Sequence, residues 1–121
     1  MFSGIKDSIY FSKMYGTVIK SFGFDLIPLD RRMNGQLLDA ARECRSRKYP
    51  TEHAATVCIS KGIRFLATKV NAPKGNASAD REYARWAAII DGWEAQGLVD
   101  GSAKSQFADA IDFVKMMASK K

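Results

Sequence analysis

His53 is the single histidine of this 121-residue chain, and Cys44 and Cys58 are its two thiols. Nucleophilic catalysis needs a thiol or hydroxyl beside a base, with a third group orienting that base. On a helical repeat of about 100° per residue, His53 falls on the polar face of its segment and Cys58 on the opposite, apolar face. The two are not expected to meet. His53 is read as a surface residue and both cysteines as small core residues. The three together lack a fourth ligand and match no zinc spacing, so no metal site is expected.

Carboxylates and glycines lead no further. Asp91, Glu94, Asp109 and Asp112 fall on outward helix faces, and no Glu-x-x-His occurs, which excludes a di-iron bundle on ligand grounds. Gly92, Gly97 and Gly101 have neither the dinucleotide nor the Walker spacing. Lys74 and Gly75 stand before a helix start in the segment NAPKGNA, an arrangement that attracts anions in most helical proteins and specifies none. The residues point to no catalytic, cofactor or metal site, and hence to a non-enzymatic role.

Charge carries more information. The net charge of +6 is uneven: residues 1–30 balance, residues 78–121 sum to −1, and residues 31–77 hold ten cations against Asp39, Glu43 and Glu52. The excess thus lies in the middle third. Arg42, Arg45, Arg47, Lys48, Lys61 and Arg64 are the candidate macromolecule-binding residues. Some of them have a plainer role, because cations in the last turn of a helix complement its dipole.

Five segments show helical hydrophobic periodicity and none a sustained strand alternation. The first runs from about Ser3 to Ser21, with Ile5, Ile9, Phe11, Tyr15, Val18, Ile19 and Phe22 in one broad stripe. Ser8, Ser12 and Gly16 lie within it at four-residue spacing, where small side chains let another helix approach. The connector GFDLIPLD, with Gly23 as a stop, Pro28, and Asp30 as a cap, leads to a second helix from Arg31 or Asn34 to Arg47. Its stripe of Met33, Leu37, Ala41 and Cys44 is narrow, so much of its circumference should be wet. Pro50 opens a third helix reaching about Val70. There Ala54, Ala55, Cys58, Ile59, Gly62, Ile63, Phe65, Leu66 and Val70 fill one half, and His53, Ser60, Lys61, Arg64 and Thr68 the other. Val57 falls on the polar side without explanation.

After the NAPKGNA loop, Ser78 is expected to cap a fourth helix ending near Gln96, with Tyr83, Trp86, Ala87, Ile89, Ile90 and Trp93 as its stripe. Trp86 and Trp93 fit a core, or interface anchors if the bundle is open on that side. Asp100 or Ser102 should cap a last helix to about Ala118, with Phe107, Ala110, Ile111, Phe113, Val114 and Met117 facing inward. The short link makes these two helices an antiparallel hairpin. The expectation is an all-α fold: a compact bundle of about five helices with a C-terminal antiparallel helix hairpin, one domain over residues 1–121.

The longest apolar runs, such as Trp86 to Ile90, fall far below the roughly 20 residues that span a membrane. No secretory stretch opens the sequence, so a cytoplasmic location is expected. The functional expectation is a binding module that docks another protein, an acidic one suiting its charge, through a basic helical surface. Exposed methionines such as Met14 and Met116 would add to that surface. The alternative is nucleic acid held by the basic helix pair 31–70, drawn as a helix-turn-helix, although its turn lacks glycine and its second helix has few base-reading amides. The first-helix stripe also allows a homodimer, with the first helix packing on its mate.

Overall fold

Five helices account for the described backbone: α1 (Phe2–Ser21), α2 (Arg31–Ser46), α3 (Thr51–Ala67), α4 (Ala77–Ala95) and α5 (Gly101–Ser119). The structure is a computed structural model and describes residues 2–22, 31–68 and 77–119, with the side chains of 2–8, 31–34, 36, 37, 66, 77–79, 118 and 119 left aside. The connector 23–30, most of the NAPKGNA loop, Val70, and the side chains of Ile5, Ser8, Met33, Leu37 and Leu66 therefore lie outside the described residues. Among those described there is no strand, and the all-α bundle expected from the periodicities is observed.

The core is built around α3, which packs against α5, α2 and α1. Ala54, Ala55, Cys58, Ile59 and Ile63 are all nearly inaccessible. Part of the polar side of α3 is buried as well, contrary to the sequence expectation for His53 and Ser60: both are buried, together with Thr56, while Arg64 and Thr68 are exposed as expected. The hydroxyls reach this state without outside partners. Ser60 Oγ donates to Thr56 O at 2.7 Å, and Thr56 Oγ1 donates to Glu52 O at 2.9 Å. Such back-bonding to the preceding turn satisfies a hydroxyl wherever the helix is placed. Val57, on the same side, is half-buried and packs against the core.

In α1 the buried line is Met14, Val18 and Phe22, four residues apart. Met14 is completely buried and does not contribute to the surface as expected; Cys58 Sγ lies 3.1 Å from its Sδ. Ile9 and Ile19, expected within the buried stripe, are instead 54% and 46% exposed. The broad apolar arc of α1 is wider than the contact α3 offers, so its far edge stays in water.

Local chemistry sets the joints. Tyr10 Oη donates to Tyr49 O at 2.8 Å, which ties α1 to the α2–α3 turn. That turn is closed by Lys48 N–H to Arg45 O and Tyr49 N–H to Cys44 O, at 2.9 and 3.0 Å, the paired bonds of a Schellman motif. The α4–α5 link repeats the motif with Gly97 N–H to Glu94 O and Leu98 N–H to Trp93 O, at 3.0 and 2.9 Å. Asp100, one of the two expected caps, accepts Ala103 N–H at 2.9 Å and starts α5. Helix α4 begins at Ala77, so Ser78 lies inside its first turn.

The hairpin is stitched by Lys104, whose Nζ lies 3.0 Å from Asp91 and 3.2 Å from Glu94. Trp86 is a core residue at 1% exposure, and its ring meets those of Phe22 and Tyr83 edge-on. Its Nε1 makes no well-formed hydrogen bond. Trp93 is half-buried, also edge-on to Phe22.

Candidate basic and aromatic surface

Two neighbouring concavities on the α3–α5 side gather three of the six candidate cations. The first, about 130 Å³, is lined by Glu43 of α2 and Arg47 just past its end, Lys61 of α3 and Ser102 and Gln106 of α5, with Cys44, Tyr49, His53 and Val57. The second is an open cleft of about 320 Å³ lined by Lys61, Arg64, Phe65, Thr68 and Phe113. Lys61 lines both, so the two adjoin at its side chain. Its position follows from α3 packing on α5: Lys61 and Arg64 are three residues apart on one side of the helix, beside the contact with Phe113.

The cations are not alike. Arg64 is exposed, and its guanidinium carbon sits 4.4 Å from the centroid of the Phe113 ring, in cation–π geometry. Arg47 is exposed and pairs with Glu43 one turn earlier at 3.6 Å. Lys48 is exposed and holds the left-handed backbone conformation at φ +62°. Arg42 is exposed, Arg45 half-buried, and neither lines the two concavities. By the helical step, both stand roughly 140–160° around α2 from Arg47. The six cations are thus distributed over several faces, and Arg47, Lys61 and Arg64 are the ones brought together.

Phe65 and Phe113, assigned to apolar stripes from the sequence, are half-buried and form part of the cleft wall. Their membership in a basic surface had no sequence signal, because it depends on which flank of α3 meets α5. Among the residues lining that cleft there is no carboxylate.

His53 is stacked flat on Tyr49, with ring centroids 3.7 Å apart and planes 9° from parallel. Burial lowers its pKa, and the Asp100 carboxylate, 3.9 Å from Nδ1, acts in the opposite direction. His53 and Cys44 line the same small cavity, a pairing the sequence did not suggest. No hydrogen bond joins them. Burial, then the neighbouring Glu43, pushes the Cys44 thiol up, so it stays protonated. Burial does the same to Cys58 and to the Tyr10 phenol. Among the described residues no group of three or more His, Cys, Asp or Glu is placed to hold a metal ion, and no helix is long and apolar enough to cross a membrane.

Comparison of the chain with protein-family models, curated proteins and solved structures finds no match.

Proposed function

We propose that the chain is a binding module that docks an acidic protein segment on the surface formed by Arg47, Lys61, Arg64, Phe65 and Phe113. The observation that carries this reading is the cleft of about 320 Å³ whose lining combines two cations with two phenyl rings and no acid. A carboxylate-bearing segment would find charge partners there, and apolar side chains between its acids would find the rings. Arg64, already stacked on Phe113, is held in place before any partner arrives, which lowers the ordering cost of binding.

Fluorescence anisotropy of a labelled peptide of alternating Glu and Leu tests this, with a Lys and Leu peptide of the same length as control. The acidic peptide should bind at low salt and the basic one should not. Lys61→Ala with Arg64→Ala should abolish the binding. Arg42→Ala with Arg45→Ala should leave it largely intact. No binding of the acidic peptide at low salt would overturn the proposal.

A second reading is favoured by one observation, the Arg64–Phe113 stack, since guanidinium and phenyl faces also form platforms for the bases of single-stranded nucleic acid. A gel-shift titration against duplex DNA, single-stranded DNA and RNA separates the two. Nucleic acid binding would fall with salt on a log–log slope of about −0.9 per phosphate contact on duplex DNA.

A further inference from the structure

Two apolar features of this molecule lie outside the surface just described, and among the described residues none covers either. One is the outer face of α1. Ile9 and Ile19 are, with Met116, the exposed large hydrophobics among the described residues. Gly16, also exposed, has open space where a Cβ would point. By the helical step, Ile9, Gly16 and Ile19 share an arc of roughly 120° with the exposed Lys13 and Lys20. That arc is opposite the buried line of Met14, Val18 and Phe22.

The other feature is a groove of about 530 Å³ between α4 and α5. Its floor includes the buried Ile90 and Phe107, and its walls are lowered by Ala84, Ala87 and Ala108. Its rim carries Asp80, Asp91 and Asp112 against Lys104 and Lys115. Lys104 is already held by Asp91 and by Glu94 just outside the groove. One negative charge is therefore left in excess at each end.

The two features match in length and charge. Ile9 to Ile19 spans about 15 Å of helix, and Asp80 to Asp91 about 16 Å. Lys13 and Lys20 are about 10 Å apart along α1, and Asp112 lies about 12 Å along the hairpin from the Asp91–Lys104 contact. An apolar helix face with two lysines along one edge thus has the dimensions of an apolar groove rimmed by aspartates. Small residues on both sides allow a close approach.

We infer that the chain associates head to tail, the α1 face of one copy seated in the α4–α5 groove of a second. Such a contact is heterologous: it pairs two different patches, and it differs from an α1-to-α1 dimer. Its apolar part comes from Ile9 and Ile19 over the alanines. Its charged part sets the direction and weakens as salt rises. This inference is independent of the acidic-segment reading, which uses other residues.

Sedimentation equilibrium of the whole chain, taken up to about 1 mM where contacts as weak as 4 kcal/mol are half-formed, tests it first. A mass above the monomer that declines with added salt is expected, and a strict monomer throughout overturns the inference. Two variants then distinguish the contact type. I9N with I19N removes the α1 face and should weaken association roughly a hundredfold. A84R with A108R fills and charges the groove at two exposed positions and should do the same. Each alone should keep only the weakened association, yet a one-to-one mixture should form a heterodimer of about wild-type affinity, since one intact face meets one intact groove. Undiminished association of A84R/A108R alone would show α1-to-α1 pairing and overturn the inference, as would a mixture that stays monomeric. Lys13→Glu with Lys20→Glu, on the exposed helix surface, gives a separate charge test and should weaken association at low salt only.

Discussion

His53 Nδ1 stands 3.9 Å from Asp100 Oδ1, the oxygen that already accepts the Ala103 N–H and starts α5. The imidazole is thus placed between the first turn of α3 and the cap of α5. Its ring is stacked on Tyr49, and Arg47, Lys61, Glu43, Ser102 and Gln106 line the cavity beside it. Neutral imidazole suits this position. Protonated imidazole is helped by Asp100, but it must be desolvated.

The pH dependence follows in sign. Burial holds the folded pKa of His53 below its usual 6.5, so the unfolded chain binds this proton more readily. The contribution to stability is therefore complete above pH 6.5 and lost as pH falls through 6.5 and below. The urea midpoint should drop between pH 7.5 and pH 5.5 in the wild type, and His53→Gln should flatten that drop. Asp100→Asn keeps a capping side chain but removes the charge, so an NMR titration should show the imidazole pKa moving lower still. An imidazole that titrates at or above 6.5 in the wild type would contradict this account.

The sequence made the five helices and the hairpin legible because stripes, caps and a short link are local signals. Asp100 as one of two candidate caps, and the end of α4 near Gln96, are readable for that reason. His53 is not. Its segment has polar residues on two sides, and a periodicity argument assigns the wetter side to solvent. In the fold α5 covers that side, and the hydroxyls of Thr56 and Ser60 turn back onto their own helix. The burial of Met14 is hidden for the same reason, since a broad stripe does not say which of its edges meets the neighbour. Of the basic surface, the cations were visible and the phenyl rings beside them were not. The Arg64–Phe113 stack joins residues of different helices.

That stack should be measurable as a coupling. Arg64→Ala and Phe113→Ala each remove other contacts as well, so the single effects do not isolate it. A double-mutant cycle on thermal or urea stability should give a favourable interaction of about 0.5–1 kcal/mol, the range for a cation–π pair at an exposed site. Additive single effects would mean that the guanidinium lies over the ring without holding to it.

The two thiols should be protected. Cys58 is wholly buried and Cys44 nearly so, and burial raises both pKa values, leaving little thiolate at pH 8. Labelling by a disulfide reagent should be slow in buffer and fast in denaturant. Cys44, at the wall of a small cavity, should react before Cys58. Equal rates in buffer and denaturant would contradict the burial of both.

The two Schellman motifs make the most direct test of backbone strain. Each needs one residue in the left-handed region, and the residues supplied are different: Gly97 at φ +79° and Lys48 at φ +62°. Glycine adopts that conformation without a Cβ clash, whereas an L side chain pays roughly 1 kcal/mol or more for it. A Cβ at Gly97 would meet nothing within 4 Å, so Gly97→Ala isolates the conformational term and should destabilise by about 1 kcal/mol. Lys48→Gly runs the other way. Relief of strain exceeds the extra entropy glycine gives the unfolded chain, so stability should rise by up to about 1 kcal/mol. Lys48 lines neither basic concavity, so the same variant should bind the acidic peptide as the wild type does. Melting temperatures of the two variants, read beside Lys48→Ala, decide the point: Ala keeps the strain, so only Gly should raise the midpoint. A Lys48→Gly protein that melts below the wild type would show that the lysine side chain contributes more at this turn than its backbone costs.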